Sequence, residues 1–109
     1  MNFEIVYTHN FERELKLIAK KHLSIKKDLG KLIDELEVNP KLGTPIGHDC
    51  YKIRMAISSK GKGKSGGARI ITHVYIKGKL VYLLSVYDKS EHESVSDKRI
   101  IELINKLGK

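Results

Sequence analysis

The sequence predicts an α+β domain of order β-α-α-β-β-β-α, a mainly antiparallel sheet with helices packed on one face. Two observations carry that prediction. Apolar residues recur at helical spacing before residue 40 and again near the C-terminus, and between them the period shortens to two, with β-branched and aromatic residues dominating. At 109 residues there is room for one core, so residues 1–109 are expected to form a single domain.

"FEIVYT" (3–8) reads as the opening strand. From Asn10 the period becomes helical: Phe11, Leu15, Ile18 and His22 share a face, with Glu12, Arg13, Lys16 and Lys20 turned away. Ser24 reads as the N-cap of a second helix with the stripe Ile25, Leu29, Leu32, Ile33 and Leu36, stopped by Asn39-Pro40. "KLGTPIGHD" (41–49) has the composition of a loop. Strands are expected at about 50–58, 67–77 and 80–88, the last two joined by a tight turn centred on Gly78. "SVSD" (94–97) opens a helix from about Ser96 to Leu107, with Ile100, Leu103, Ile104 and Leu107 buried and Gly108 ending it.

The net charge of +8 is unevenly placed. From Cys50 to Tyr87 there is no Asp or Glu, and eight of the 21 Lys and Arg lie in this window; the others balance the 13 acidic residues. A basic face this segregated points to a polyanion, most often nucleic acid. Cys50 stands alone, so it has no disulfide partner in the chain and is expected to be a small buried apolar group. No run is long enough to span a bilayer and the N-terminus does not read as a signal peptide; the expected location is the cytoplasm, with no membrane partner.

"SSKGKGKSGGARI" (58–70) holds Gly61-x-Gly63-x-x-Gly66 and Gly63-Lys64-Ser65, which echo two nucleotide-binding motifs. Both need a helix opening on the glycines, and here the glycines run into the strand "ARIITHVYI". The stretch is instead expected to be a mobile loop in which Lys60, Lys62 and Lys64 grip phosphate and glycine permits close approach.

Strand alternation sends Tyr51, Ile53, Met55 and Ile57 towards the helices and Lys52 and Arg54 to the open face, where Arg69 and His73 join them. Tyr87 lies near the end of the last strand, with Lys89 just beyond and His92 close by. The histidines have no metal-ligand spacing and the basic face has no carboxylate pair, so neither a metal nor a cofactor is expected. Lysines and arginines suit RNA phosphodiester transfer, because the ribose 2′-hydroxyl supplies the nucleophile and the protein need only position it and stabilise charge on phosphorus. A lysine crowded by cations can lose its proton more readily and act as base, whereas Arg54 and Arg69 suit phosphate clamping.

"DCYKIRMAISS" followed by "GGARIITHVYIKGKLVYLLSVYDKSE" resembles the core of RelE/HigB-type toxins of bacterial type II toxin–antitoxin modules, and "KGKGKSGGARII" is similar to the HigB branch. The resemblance spans about residues 2 to 105 and includes the "NPKLG" loop. It implies a RelE-like fold and a metal-independent endoribonuclease that cuts translated mRNA in the ribosomal A site, leaving a 2′,3′-cyclic phosphate and a 5′-hydroxyl. It also implies a cognate helix-turn-helix, HigA-like antitoxin. By position, Lys52 and Arg54 match the family's basic pair, Arg69 the arginine at the scissile phosphate, and Lys89 a further basic residue. The family's C-terminal tyrosine has no counterpart in "ESVSDK", so Tyr87, His73, His92 or a lysine is left to supply the general base. The catalytic candidates are therefore Lys52, Arg54, Arg69, Tyr87 and Lys89, and the RNA-binding candidates Lys60, Lys62, Lys64, His73 and His92. A ParE-like gyrase poison of the same fold and a non-catalytic basic nucleic-acid-binding module are the alternatives.

Overall fold

A computed structural model describes residues 2–92 and 94–108. Strand β1 (Glu4–Tyr7) leads into helices α1 (His9–Lys21) and α2 (Ile25–Val38). Strands β2 (Thr44–Gly47), β3 (Cys50–Met55), β4 (Ala68–Tyr75) and β5 (Leu80–Asp88) follow, and helix α3 (Asp97–Asn105) closes the chain. The strands form one sheet in the order β1-β5-β4-β3-β2, antiparallel except where β1 runs parallel to β5.

The α+β class and the expected elements are present, with one strand more. β2 lies inside the stretch expected to be a loop and pairs with the edge of β3. Pro45 is tolerated there because an edge strand has a side that needs no N–H donor. The hairpin turn also differs: four residues connect β4 to β5, and the left-handed position is Lys79 (φ 53°), not Gly78.

The helices divide between the two faces of the sheet, which corrects the expectation that all pack on one. Phe11, Leu15 and Ile18 of α1 and Ile25, Leu29, Leu32 and Leu36 of α2 bury themselves against Ile53, Met55, Ile70, Leu83 and Val86. On the opposite face, Ile100 and Leu103 of α3 cover Cys50, Ile71 and Leu84. Amphipathic spacing shows that a helix packs, not on which side. Thr8 caps α1 by accepting from the Phe11 N–H at 3.2 Å, and Ser96 caps α3 by accepting from the Arg99 N–H at 3.1 Å.

β1 ends before β5 does, and α1 completes the exposed edge. The Glu14 carboxylate accepts from the Ser85 hydroxyl at 2.8 Å and the Val86 N–H at 3.3 Å, while Asn10 donates to the Leu84 carbonyl at 2.9 Å. Leu84 is an extra residue opposite the Ile71–Thr72 step, a bulge that shifts the alternation of the strand, so that Leu83 and Val86 face one core while Leu84 and Tyr87 face the other.

Candidate nucleic-acid interface

Three neighbouring strands bring the candidate residues into one row. Arg54 of β3 stands opposite Arg69 of β4, and Arg69 stands opposite Tyr87 of β5. Like charges directly across a ladder disfavour pairing, so two arginines in register are a local cost that packing does not explain. Lys52, Arg54, Lys64, Arg69 and Lys89 all line a groove of about 600 Å³ whose far wall is α2, through Lys31 and Glu35. Arg54, Lys64 and Lys89 are exposed, and Lys52 is half-buried.

Arg69 is the exception: it is only 6% exposed. Its guanidinium donates to the carbonyls of Lys64 at 2.9 Å, Ala68 at 3.2 Å and Ser65 at 3.4 Å. The glycine-lysine loop thus lies over the arginine instead of leaving it on an open face.

Tyr87 is buried beside it, and its hydroxyl has no hydrogen-bond partner among the described residues. Burial raises the phenol's pKa, with the Arg69 charge opposing. Tyr87 therefore stays protonated at neutral pH, which suits a donor and not a standing base. The His92 ring is exposed and meets the Tyr87 ring edge-on at 6.3 Å between centroids.

Two expected RNA contacts are placed elsewhere. His73 is buried at the other end of the sheet, where its Nδ1 lies 2.9 Å from the His48 carbonyl and 3.6 Å from Cys50 Sγ. Strand alternation put it on the correct face, but that end is covered. Lys60 turns inward, donating to Asp88 at 3.0 Å and to Ser90 at 3.1 Å. Lys62 is exposed on the loop but does not line the groove.

Two carboxylates that sequence reasoning passed over anchor this loop. Asp28 accepts from the Ser58 N–H at 2.9 Å, from the Ser58 hydroxyl and from the Ser24 hydroxyl. Ser24 does not cap α2; its oxygen accepts from the Ser59 N–H at 2.8 Å. Asp88 takes Lys60, His22 at 3.0 Å, and Ser90 through both N–H and hydroxyl. Burial opposes ionisation of both carboxyls, but these hydrogen bonds outweigh it and hold each below the usual carboxylate range, Asp88 far below. "DKS" (88–90) carried a signal for this, since Asp two residues before Ser is a common turn in which the carboxylate binds the backbone.

Gly67 shows why the loop ends in paired glycines: a Cβ there would lie 2.2 Å from the Met55 carbonyl. Gly61 (φ 68°) and Gly63 (φ 65°) adopt left-handed conformations that other residues resist. Among the described residues, no cluster of three or more His, Cys, Asp or Glu is placed to hold a metal, and no helix is long and apolar enough to cross a membrane.

No protein-family model matches the chain. Solved structures do. An arginine double mutant of Escherichia coli toxin RelE in the free state is 20% identical with a TM-score of 0.63, over 98% of this chain and 99% of that one. The intact E. coli RelBE toxin–antitoxin complex matches at 19% identity and TM-score 0.60, over 79% and 95% of the two chains. A toxin–antitoxin complex from Mycobacterium tuberculosis matches at 13% identity and TM-score 0.56, over 81% and 92%. The chain has the fold of the RelE toxins.

Proposed function

We propose that this protein is the toxin of a toxin–antitoxin pair and that it acts as an mRNA endonuclease on the translating ribosome in the bacterial cytoplasm. The supporting observation is the in-register row Arg54–Arg69–Tyr87, bordered by Lys52, Lys64 and Lys89 in one groove. The RelE fold, shared with toxins solved in complex with antitoxins, supports the same reading and a cognate antitoxin partner; the similarity of "KGKGKSGGARII" to the HigB branch is what favours a HigA-like helix-turn-helix type.

In this reading the groove holds the RNA backbone for in-line attack. The 2′-oxygen bonds to phosphorus as the bond from phosphorus to the 5′-oxygen breaks, leaving a 2′,3′-cyclic phosphate and a 5′-hydroxyl. Arg54 and Arg69 stabilise the charge that grows on the phosphoryl oxygens. A groove lysine, Lys52 or Lys89, takes the 2′-hydroxyl proton, and the Tyr87 phenol gives its proton to the departing 5′-oxygen, which leaves as the 5′-hydroxyl. Exposed Lys62, Lys64 and His92 contact the flanking backbone. No metal or cofactor is required, because the substrate carries its own nucleophile.

Mapping of 5′ ends and end groups on mRNA in a translating cell-free extract tests the proposal. Discrete cuts with 5′-hydroxyl and cyclic-phosphate ends are expected. Intact mRNA under conditions where the protein still arrests growth would sink it and make DNA gyrase the next target to assay.

A further inference from the structure

We infer that the glycine-lysine loop is a latch that fills the phosphate position of Arg69 in the free protein, and that RNA enters by replacing the carbonyls of Lys64 and Ser65. The inference rests on the reading of the groove as an RNA site.

The loop is fixed at both ends and free between them. At its start, Asp28 holds Ser58 and Asp88 holds Lys60. At its end, the Gly67 carbonyl accepts from the Lys89 N–H at 3.0 Å, and Gly67 presses against the Met55 carbonyl. Lys62, Lys64 and Ser65 are exposed, and among the described residues the hydrogen bonds tying this tip to the body of the domain run to the Arg69 guanidinium. The Lys64 carbonyl serves two donors, Arg69 and the Gly67 N–H at 3.3 Å. Gly61 and Gly63, both left-handed, are the joints at which such a tip can turn.

The exchange is favourable for a chemical reason. A peptide carbonyl is a neutral acceptor, whereas a phosphate is charged, takes the guanidinium fork bidentately and bonds about twice as strongly. Arg69 also faces Arg54 across the ladder, so an anion between them removes a repulsion that two carbonyl dipoles only soften. A displaced tip carries Lys62 and Lys64, which can then close on the same backbone. Closure lowers the apparent affinity of the free protein, which equals the intrinsic affinity multiplied by the open fraction. Asp28 and Asp88 act as positioning residues: they confine the movement to the tip.

The test is NMR and hydrogen exchange on the full chain, with and without an uncleavable 2′-O-methyl oligoribonucleotide at low salt. Binding is expected to shift the Arg69 side-chain signals and to change protection of the Gly67 amide, while the Ser58 and Lys89 amides keep theirs. Binding that leaves Arg69 and Gly67 unchanged would overturn the latch and leave the RNA site standing. No binding at all would overturn the site and the latch with it.

Discussion

On the sheet face that carries α3, the pairs along β3 and β4 run from Cys50–His73 through Lys52–Ile71 to Arg54–Arg69. Within four residues, about 13 Å of strand, the face changes from apolar to strongly basic. The two ends are covered by different means. At the first, Ile100 and Leu103 of α3 seal Cys50, Ile71 and Leu84, and removing that cover would expose apolar area to water. At the second, the cover is a glycine-rich loop touching Arg69 through backbone carbonyls, which water or a phosphate can replace. One end is built to stay closed, and the other closes with groups that a charged ligand outcompetes.

That contrast is most sharply broken at the row itself. Arg54→Ala is expected to lower RNA cleavage by about 100- to 1,000-fold, the usual loss for one transition-state donor. Because Arg54 is exposed and its charge opposes Arg69 across the ladder, urea unfolding should show no loss of stability. Leu103→Ala tests the opposite end: stability should fall by about 2–5 kcal/mol, while cleavage per folded molecule stays at the wild-type rate. A Leu103 variant that lost cleavage while folded would mean that the two ends are not separable.

The element order was legible because periodicity records burial, and the carboxylate-free window marked the basic end before any fold was known. What the sequence hid was set by contacts distant in the chain. Lys60 looks like Lys62 and Lys64, yet its fate depends on Asp88, 28 residues away. His73 shares the alternation of Arg69, yet α3 and the β2–β3 turn close over its end of the face. Arg69 was found by its neighbours in sequence, but nothing in "GGARI" announces that the backbone of its own loop would cover it. β2 is four residues of Thr, Pro, Ile and Gly, too short and too weak in propensity to stand out from a loop.

The anchors of the loop make a pH prediction. Asp28 and Asp88 have folded-state pKa values below the unfolded value of about 3.9, so their contribution is present above that value and is lost as pH falls through the folded values. Stability should therefore drop steeply below about pH 4, and Asp88→Asn should flatten that part of the curve in urea titrations at stepped pH. A variant that kept the full acid dependence would show that Asp88 is not a principal acid-sensitive anchor.

The smallest effect separates the loop lysines. Lys62→Ala and Lys64→Ala should each reduce the slope of log K against log salt by about 0.7, one single-strand phosphate contact. Lys60→Met should leave the slope unchanged, since Lys60 neutralises Asp88. An equal reduction in all three would return Lys60 to the RNA surface.

Whether the arginine row performs phosphodiester cleavage is read most directly from the single-turnover rate on mRNA in a programmed ribosome for wild type, Arg54→Ala and Arg69→Ala. Wild type is expected to give 5′-hydroxyl products, and each variant a rate at least about 100-fold lower. Wild-type rates in both variants, with the fold intact, would contradict cleavage by the row.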